Sequence, residues 1–182
     1  MIEAHYLFGA SYDDIDVVVH PQSIVHSMVE MADTSVIAQL GWADMRLPLV
    51  YSVSWPHRVE MDYRRLNLAE LGTLTFKEPD REKYPCIDLC YSAGKAGGTM
   101  TSVLNAANEM ANEMYRGGDR GLGFLDIPRL IEGAMEAARE EGMYRTEGVE
   151  LRDILESDEW AREWVGRKAE GLGKGKGKVL MI

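Results

Sequence analysis

A chain of 182 residues with 46 % hydrophobic content has enough apolar surface for one ordinary core or two small ones. A formal net charge of −10 and a pI near 4.9 argue against a nucleic-acid binder, which needs Lys and Arg clustered against phosphate. Apolar runs stop far short of the roughly 20 residues of a membrane-spanning helix, and Met1-Ile2-Glu3-Ala4 has neither the basic start nor the apolar stretch of a signal peptide.

Residues 2–8 read as the tail of a helix ending at Gly9. Residues 15–19 form a short β-branched run, expected to be a buried strand that stops at Pro21. Residues 23–31 and 35–40 both alternate around Ala32-Asp33-Thr34, with Ile24, His26, Met28 and Glu30 on one face and Val25, Ser27, Val29 and Met31 on the other. That pattern predicts a β-hairpin. Asp44 can cap a helix running to Ser54, with Pro48 tolerated in its first turn. From Trp55 to about Lys83 the periodicity fades among Pro56, Pro79 and scattered charges, which predicts a linker and a domain boundary.

Beyond the linker the period becomes helical. Ile87, Leu89, Cys90 and Tyr91 open one helix, broken at Gly94 to Gly98. Thr99 or Thr101 can cap the next, whose stripe of Val103, Leu104, Ala107, Met110, Ala111 and Met114 lasts until Gly117-Gly118. A third begins near Asp126 and ends at Gly142; a fourth runs from Val149 to about Lys168 with Trp160 and Trp164 in its apolar stripe. Four amphipathic helices on short turns predict a helical bundle. The Gly/Lys-alternating end is expected to be disordered.

Few residues stand out as carriers of chemistry. His20, between a β-branched run and Pro21, suits a structural role through a backbone hydrogen bond, and His26 could be a satisfied histidine or an acid–base group. Neither has an Asp/Glu/Cys cluster at metal-ligand spacing. Met45-Arg46 lies between a Gly-Trp turn and a helix start, where the thioether could be an apolar staple. Cys86 and Cys90, the only cysteines, share a helix face but fit neither a redox pair nor a zinc knuckle. Core thiols in a reducing compartment are the expected reading. No phosphate loop, dinucleotide fingerprint or nucleophilic triad appears, since Gly94 to Gly98 ends a helix and follows no strand.

Several segments carry a resemblance: Ile2-Glu3-Ala4-His5, His20-Pro21-Gln22-Ser23 with His26, Gly41-Trp42-Ala43-Asp44-Met45-Arg46, Tyr84-Pro85, and Asn105-Ala106-Ala107-Asn108-Glu109. Together they closely resemble the 1-deoxy-D-xylulose 5-phosphate reductoisomerases, from Ile2 to about Val165 and most densely over 17–48 and 99–113. The resemblance implies isomerisation and reduction of 1-deoxy-D-xylulose 5-phosphate to 2-C-methyl-D-erythritol 4-phosphate in non-mevalonate isoprenoid synthesis. It implies NADPH and Mg²⁺ or Mn²⁺ in a homodimeric complete enzyme, with no nucleic-acid or membrane partner. The dinucleotide domain and acidic metal ligands of that family precede anything in this chain, so most binding residues are expected outside it. The chain alone is expected to be inactive.

The expected fold is therefore α+β. Residues 1–54 would be the remainder of an α/β catalytic domain with its hairpin, 55–83 a linker, 84–170 a four-helix bundle and 171–182 a disordered tail. By resemblance His26 is the active-site candidate, as a wall residue rather than a proton-transfer group, and Met45 packs near the nicotinamide, supported by Trp42. Ala43 stands where the family often has Pro. Glu3 lies one helical turn from the position of a family metal ligand, and one carboxylate does not make a Mg²⁺ site, so it is assigned no metal role. The wording of the motifs leans to the plant and algal branch, implying the plastid stroma, or the cytoplasm of a bacterium. The alternative is a non-catalytic dimerisation module derived from that enzyme, associating through exposed strand faces.

Overall fold

The computed structural model describes residues 1–117 and 122–173. In chain order the elements are helix α1 (Ile2–Phe8), a 3₁₀ turn (Tyr12–Asp14), strands β1 (Val25–Glu30) and β2 (Val36–Leu40), and helices α2 (Arg46–Ser54), α3 (Leu68–Leu71), α4 (Cys86–Ala96), α5 (Met100–Gly117), α6 (Asp126–Glu140) and α7 (Leu151–Gly173). The fold is α+β. The chain forms two compact units, one of Val17–Pro79 and one of Met1–Asp16 together with the chain from Asp80 onward.

In the helical unit α4 to α7 form the four-helix bundle that the 3.6-residue stripes predict, with α5 packed against each of the other three. Its core takes Met100, Val103 and Leu104 from α5, Ile127, Leu130 and Ile131 from α6, and Trp164 and Val165 from α7. Alanines line the seams: Ala106, Ala107, Ala111, Ala134, Ala138, Ala161 and Ala169 are all fully buried. Small side chains let helix axes approach, so the longer apolar groups interdigitate at interior density. Cys86 and Cys90 are free, half-buried thiols against this core, and burial pushes both above the ordinary thiol range. They are core thiols, as expected.

Polar groups close the bundle at one end. The fully buried Thr99 donates its Oγ1 hydrogen to the Met143 carbonyl and accepts the Arg145 N–H, both at 3.0 Å, while its own N–H donates to the Arg145 carbonyl at 3.0 Å. The buried Asp153 carboxylate accepts the Glu150 N–H at 2.9 Å and pairs with Arg145. The loop between α6 and α7 thus finds partners for backbone groups that burial would otherwise leave unpaired.

Four expectations are revised here. Residues 15–19 form no strand: Val19 makes a lone antiparallel bridge with Lys77, because no neighbouring strand runs alongside to complete a ladder. The stretch from Trp55 to Pro79 packs within the hairpin unit and includes α3, whose cap Asn67 accepts the Ala69 and Glu70 N–H groups at 3.1 and 3.4 Å. Residues 1–16 belong to the helical unit rather than to the hairpin. Finally, α7 runs past Lys168 to Gly173, and the remainder of the expected disordered tail (174–182) lies outside the described residues.

Candidate functional site

The hairpin unit positions both residues singled out by resemblance. Strands β1 and β2 pair antiparallel, Val29 opposite Ile37 and Val25 opposite Leu40. The tight turn is held by Asp33, whose Oδ1 accepts the Ser35 N–H at 3.0 Å. The register slips between Val25 and Ser27, so His26 is the extra residue of a β-bulge, and the simple alternation from Ile24 to Glu30 is interrupted there. Bulges re-aim a side chain. The His26 ring turns toward the end of the sheet, where Nε2 lies 3.2 Å from the Gly41 carbonyl oxygen. A carbonyl only accepts, so Nε2 donates in this hydrogen bond.

Gly41 is held a second time, its N–H donating to the Ile24 carbonyl at 2.9 Å. Ile24 is the one fully buried residue of the hairpin region among those described. From this anchor the chain runs through Trp42 and Asp44 to Met45, whose side chain is 71 % exposed at the start of α2. Asp44 orders the loop. Its Oδ1 accepts the Arg46 backbone N–H at 3.0 Å and Nε–H at 2.9 Å, and its Oδ2 accepts Nη2 at 2.5 Å. These bonds from Arg46 hold the Asp44 carboxyl down at about 2. With its folded pKa below the unfolded value of 3.8, the stabilisation is complete above about pH 5 and is lost as pH falls through about 2. The expected result is an Asp44 carboxyl NMR titration with a midpoint near 2, moving back toward 3.8 in Arg46→Ala.

Segment 55–79 supplies what sequence reasoning missed. The Trp42 indole N–H donates to the Arg65 carbonyl at 3.3 Å, and the Arg64 guanidinium lies 3.7 Å over the same ring. Arg46 lies 4.4 Å over Tyr63. Trp42, Arg46, Tyr63 and Arg64, with Leu47, Asp62 and Leu66, line a cleft of about 450 Å³. The one sequence signal was three arginines and Tyr63 gathered within 58–65, in a stretch without helical or strand period. Trp42 does support the loop, through partners that lie over 20 residues away.

The His20-Pro21-Gln22-Ser23 turn has a structural task. His20 Nδ1 donates to the Thr75 carbonyl at 2.8 Å and the ring stacks on Phe76. The Gln22 Oε1 accepts the Thr75 N–H at 3.2 Å and hydroxyl at 3.0 Å. Three bonds therefore clamp Thr75 to the turn. Glu3 is exposed in the first turn of α1, and no group of three or more His, Cys, Asp or Glu that could hold a metal ion exists among the described residues.

The family described as "DXP reductoisomerase C-terminal domain" matches residues 40–164, from the end of β2 to near the middle of α7. The chain belongs to this family. A 1-deoxy-D-xylulose 5-phosphate reductoisomerase of Crocosphaera subtropica is 54 % identical over 182 residues, all of this chain and 44 % of that protein. One of Synechococcus sp. (strain CC9902) is 56 % identical over 162 residues, 89 % of this chain and 38 % of that protein. Among solved structures, a DOX-P reductoisomerase in complex with NADPH, fosmidomycin and magnesium superposes with a TM-score of 0.86 at 32 % identity, covering 96 % of this chain and 43 % of that one. The Zymomonas mobilis reductoisomerase with NADPH gives 0.80 at 35 %, covering 92 % and 43 %. The chain spans less than half the length of each of these relatives.

Within this family the Asn105-Ala106-Ala107-Asn108-Glu109 motif has a packing explanation. Ala106 and Ala107 sit in the α5 seam at 0 % exposure, whereas Asn105 and Glu109 face outward. Glu109 reaches α7 by pairing with Arg162, and Arg162 also bonds Asp158 at 2.6 Å.

Proposed function

We propose that this chain is the C-terminal part of a 1-deoxy-D-xylulose 5-phosphate reductoisomerase, and that the complete enzyme isomerises and reduces that sugar phosphate to 2-C-methyl-D-erythritol 4-phosphate. The observation that carries the reading is 54 % identity across all 182 residues to a relative of that name. Support for the cofactors comes from relatives solved with NADPH and with magnesium. The cyanobacterial relatives fit a cyanobacterial cytoplasm or a plastid stroma. A homodimer is the proposed assembly.

The residues present fit a nicotinamide on one side only. Met45, an exposed, polarizable thioether three positions after Trp42, offers an apolar wall. NADPH, when bound, supplies the hydride. His26 acts at one remove, fixing the Gly41 carbonyl and with it the start of the loop that presents Met45. The described residues do not fit a magnesium ion. By itself the chain holds neither reactant, so the purified 182-residue protein is expected to give no turnover.

The test is a chimaera in which this chain replaces the aligned 44 % of the Crocosphaera subtropica protein. Substrate-dependent NADPH oxidation is expected, with Met45→Ala raising the KM for NADPH roughly tenfold and His26→Ala acting in the same direction more weakly. A folded chimaera without activity would overturn the reading. The exposed Met28, Val29 and Ile37 favour the second reading, a non-catalytic module that pairs through its hairpin. An inactive chimaera together with stable association of the isolated chain would establish it.

A further inference from the structure

Most arginines of the described residues are neutralised by a carboxylate: Arg46, Arg81, Arg129, Arg145, Arg152, Arg162 and Arg167 each have one within 4 Å. Arg116 and Arg139 on the bundle helices have no such partner among the described residues, and neither do Arg58, Arg64 and Arg65, although the chain carries a net charge of −10. The last three line a single cleft of about 580 Å³ in the hairpin unit, where Glu60 is the one acidic residue among its lining side chains. Three guanidinium groups against one carboxylate leave the cleft cationic. Leu47 and Leu66 contribute an apolar wall.

Two of the cations are held in place by neutral groups. The Arg64 guanidinium carbon lies 3.7 Å from the Trp42 ring centroid and that of Arg58 lies 4.3 Å from the Tyr51 centroid. A stacked guanidinium keeps its in-plane N–H donors free, and stacking has already removed much of the side-chain freedom that ligand binding would otherwise cost. The backbone between them is fixed as well, since the Arg65 carbonyl accepts the Trp42 indole N–H. The donors are pre-oriented and lack an acceptor.

We propose that this cleft binds a small phosphate- or diphosphate-bearing anion, at a site that adjoins the Trp42 cleft and shares Leu47, Tyr63, Arg64 and Leu66 with it. Planar guanidinium forks match phosphate oxygens in bidentate geometry, and the cleft volume suits a metabolite rather than a macromolecule. The proposal does not require the chain to be part of an active reductoisomerase, and its test needs no turnover.

Isothermal titration of inorganic pyrophosphate, and separately of orthophosphate, into the full 182-residue chain at low salt reads the site directly. Saturable binding of pyrophosphate is expected, tighter than orthophosphate and weakened by added salt. Arg65→Ala and Arg64→Ala should each weaken it roughly tenfold, and Arg64→Lys should recover only part of the loss. Arg65→Ala is the cleaner variant, because the Arg65 side chain supports no ring. Arg116→Ala, on α5 in a cleft with Glu109 and Glu113, should change nothing. Absence of saturable heat at millimolar pyrophosphate would overturn the proposal. So would equal loss in Arg116→Ala, or wild-type binding in Arg65→Ala with far-UV circular dichroism unchanged. Co-sedimentation with phosphatidylglycerol vesicles without pyrophosphate binding would also overturn it, assigning the arginines to a membrane surface.

Discussion

Gly98→Ala is expected to lower the stability of the helical unit by about 3–5 kcal/mol. Gly98 has φ +55°, and a Cβ there would sit 1.9 Å from the Arg145 carbonyl oxygen, 2.8 Å from its carbon and 3.0 Å from the Thr146 Cα. All three are backbone atoms, so no side chain can swing aside. Arg145 also cannot retreat cheaply, because its carbonyl and N–H both bond Thr99 and its guanidinium pairs with Asp153. Moving the loop would leave the fully buried Thr99 hydroxyl without its partners, a loss of roughly 1–3 kcal/mol by itself. Thermal and urea melts of the chain read this directly. Destabilisation below about 1 kcal/mol would mean that the backbones at the bundle's end do not meet as described.

Gly94→Ala is expected to cost about 2–4 kcal/mol in the wild-type chain and to become neutral or stabilising when Tyr12 is also Ala. A Cβ on Gly94 would lie 2.3 Å from both Cε1 and Cζ of Tyr12. The ring has little room to yield: it is 8 % exposed and stacks on His5 at 4.4 Å. Its segment is tied to α4 by Tyr91, whose hydroxyl donates to the Ile15 carbonyl at 2.5 Å, and by the exposed Lys95–Asp13 pair. Remove the ring and the clash disappears, leaving the ordinary preference of a helix for Ala over Gly, close to 1 kcal/mol. That sign reversal is the decisive observation, and additive effects in the double variant would disprove the docking of Tyr12 on α4. Burial raises the Tyr12 pKa, and its hydroxyl has no hydrogen-bond partner among the described residues. Tyr12→Phe should therefore be neutral or stabilising by up to about 1 kcal/mol, because it deletes an unpaired buried polar group.

The family motifs outlived the domain map. His26 and Met45 were named from a resemblance, and the roles proposed for them are a loop anchor and an apolar wall. What surrounds them came from elsewhere in the sequence. Trp42 meets Arg64 and Arg65, and the 20–23 turn clamps Thr75. Segment 55–83 reads as a linker because the contacts of its 55–79 part are side chain to backbone and ring to guanidinium, which leave no period in a sequence.

By itself the sequence determined the four bundle helices, the hairpin and its turn, and the end of α1 at Gly9, because each follows from local rules: helical or strand periodicity, capping and turn residues. Even the bundle seam was legible, since a stripe of Ala, Val and Met at helical spacing has to be buried against something. Only the tertiary structure decided that residues 15–19 lack a strand partner beyond Lys77, that Tyr12 lies over Gly94, and that three unpaired arginines share one cleft. Those outcomes depend on which distant atoms meet. A hydrogen-bond ladder, a steric contact and an unneutralised charge are properties of pairs, and the members of these pairs lie too far apart in sequence for a local pattern to join them.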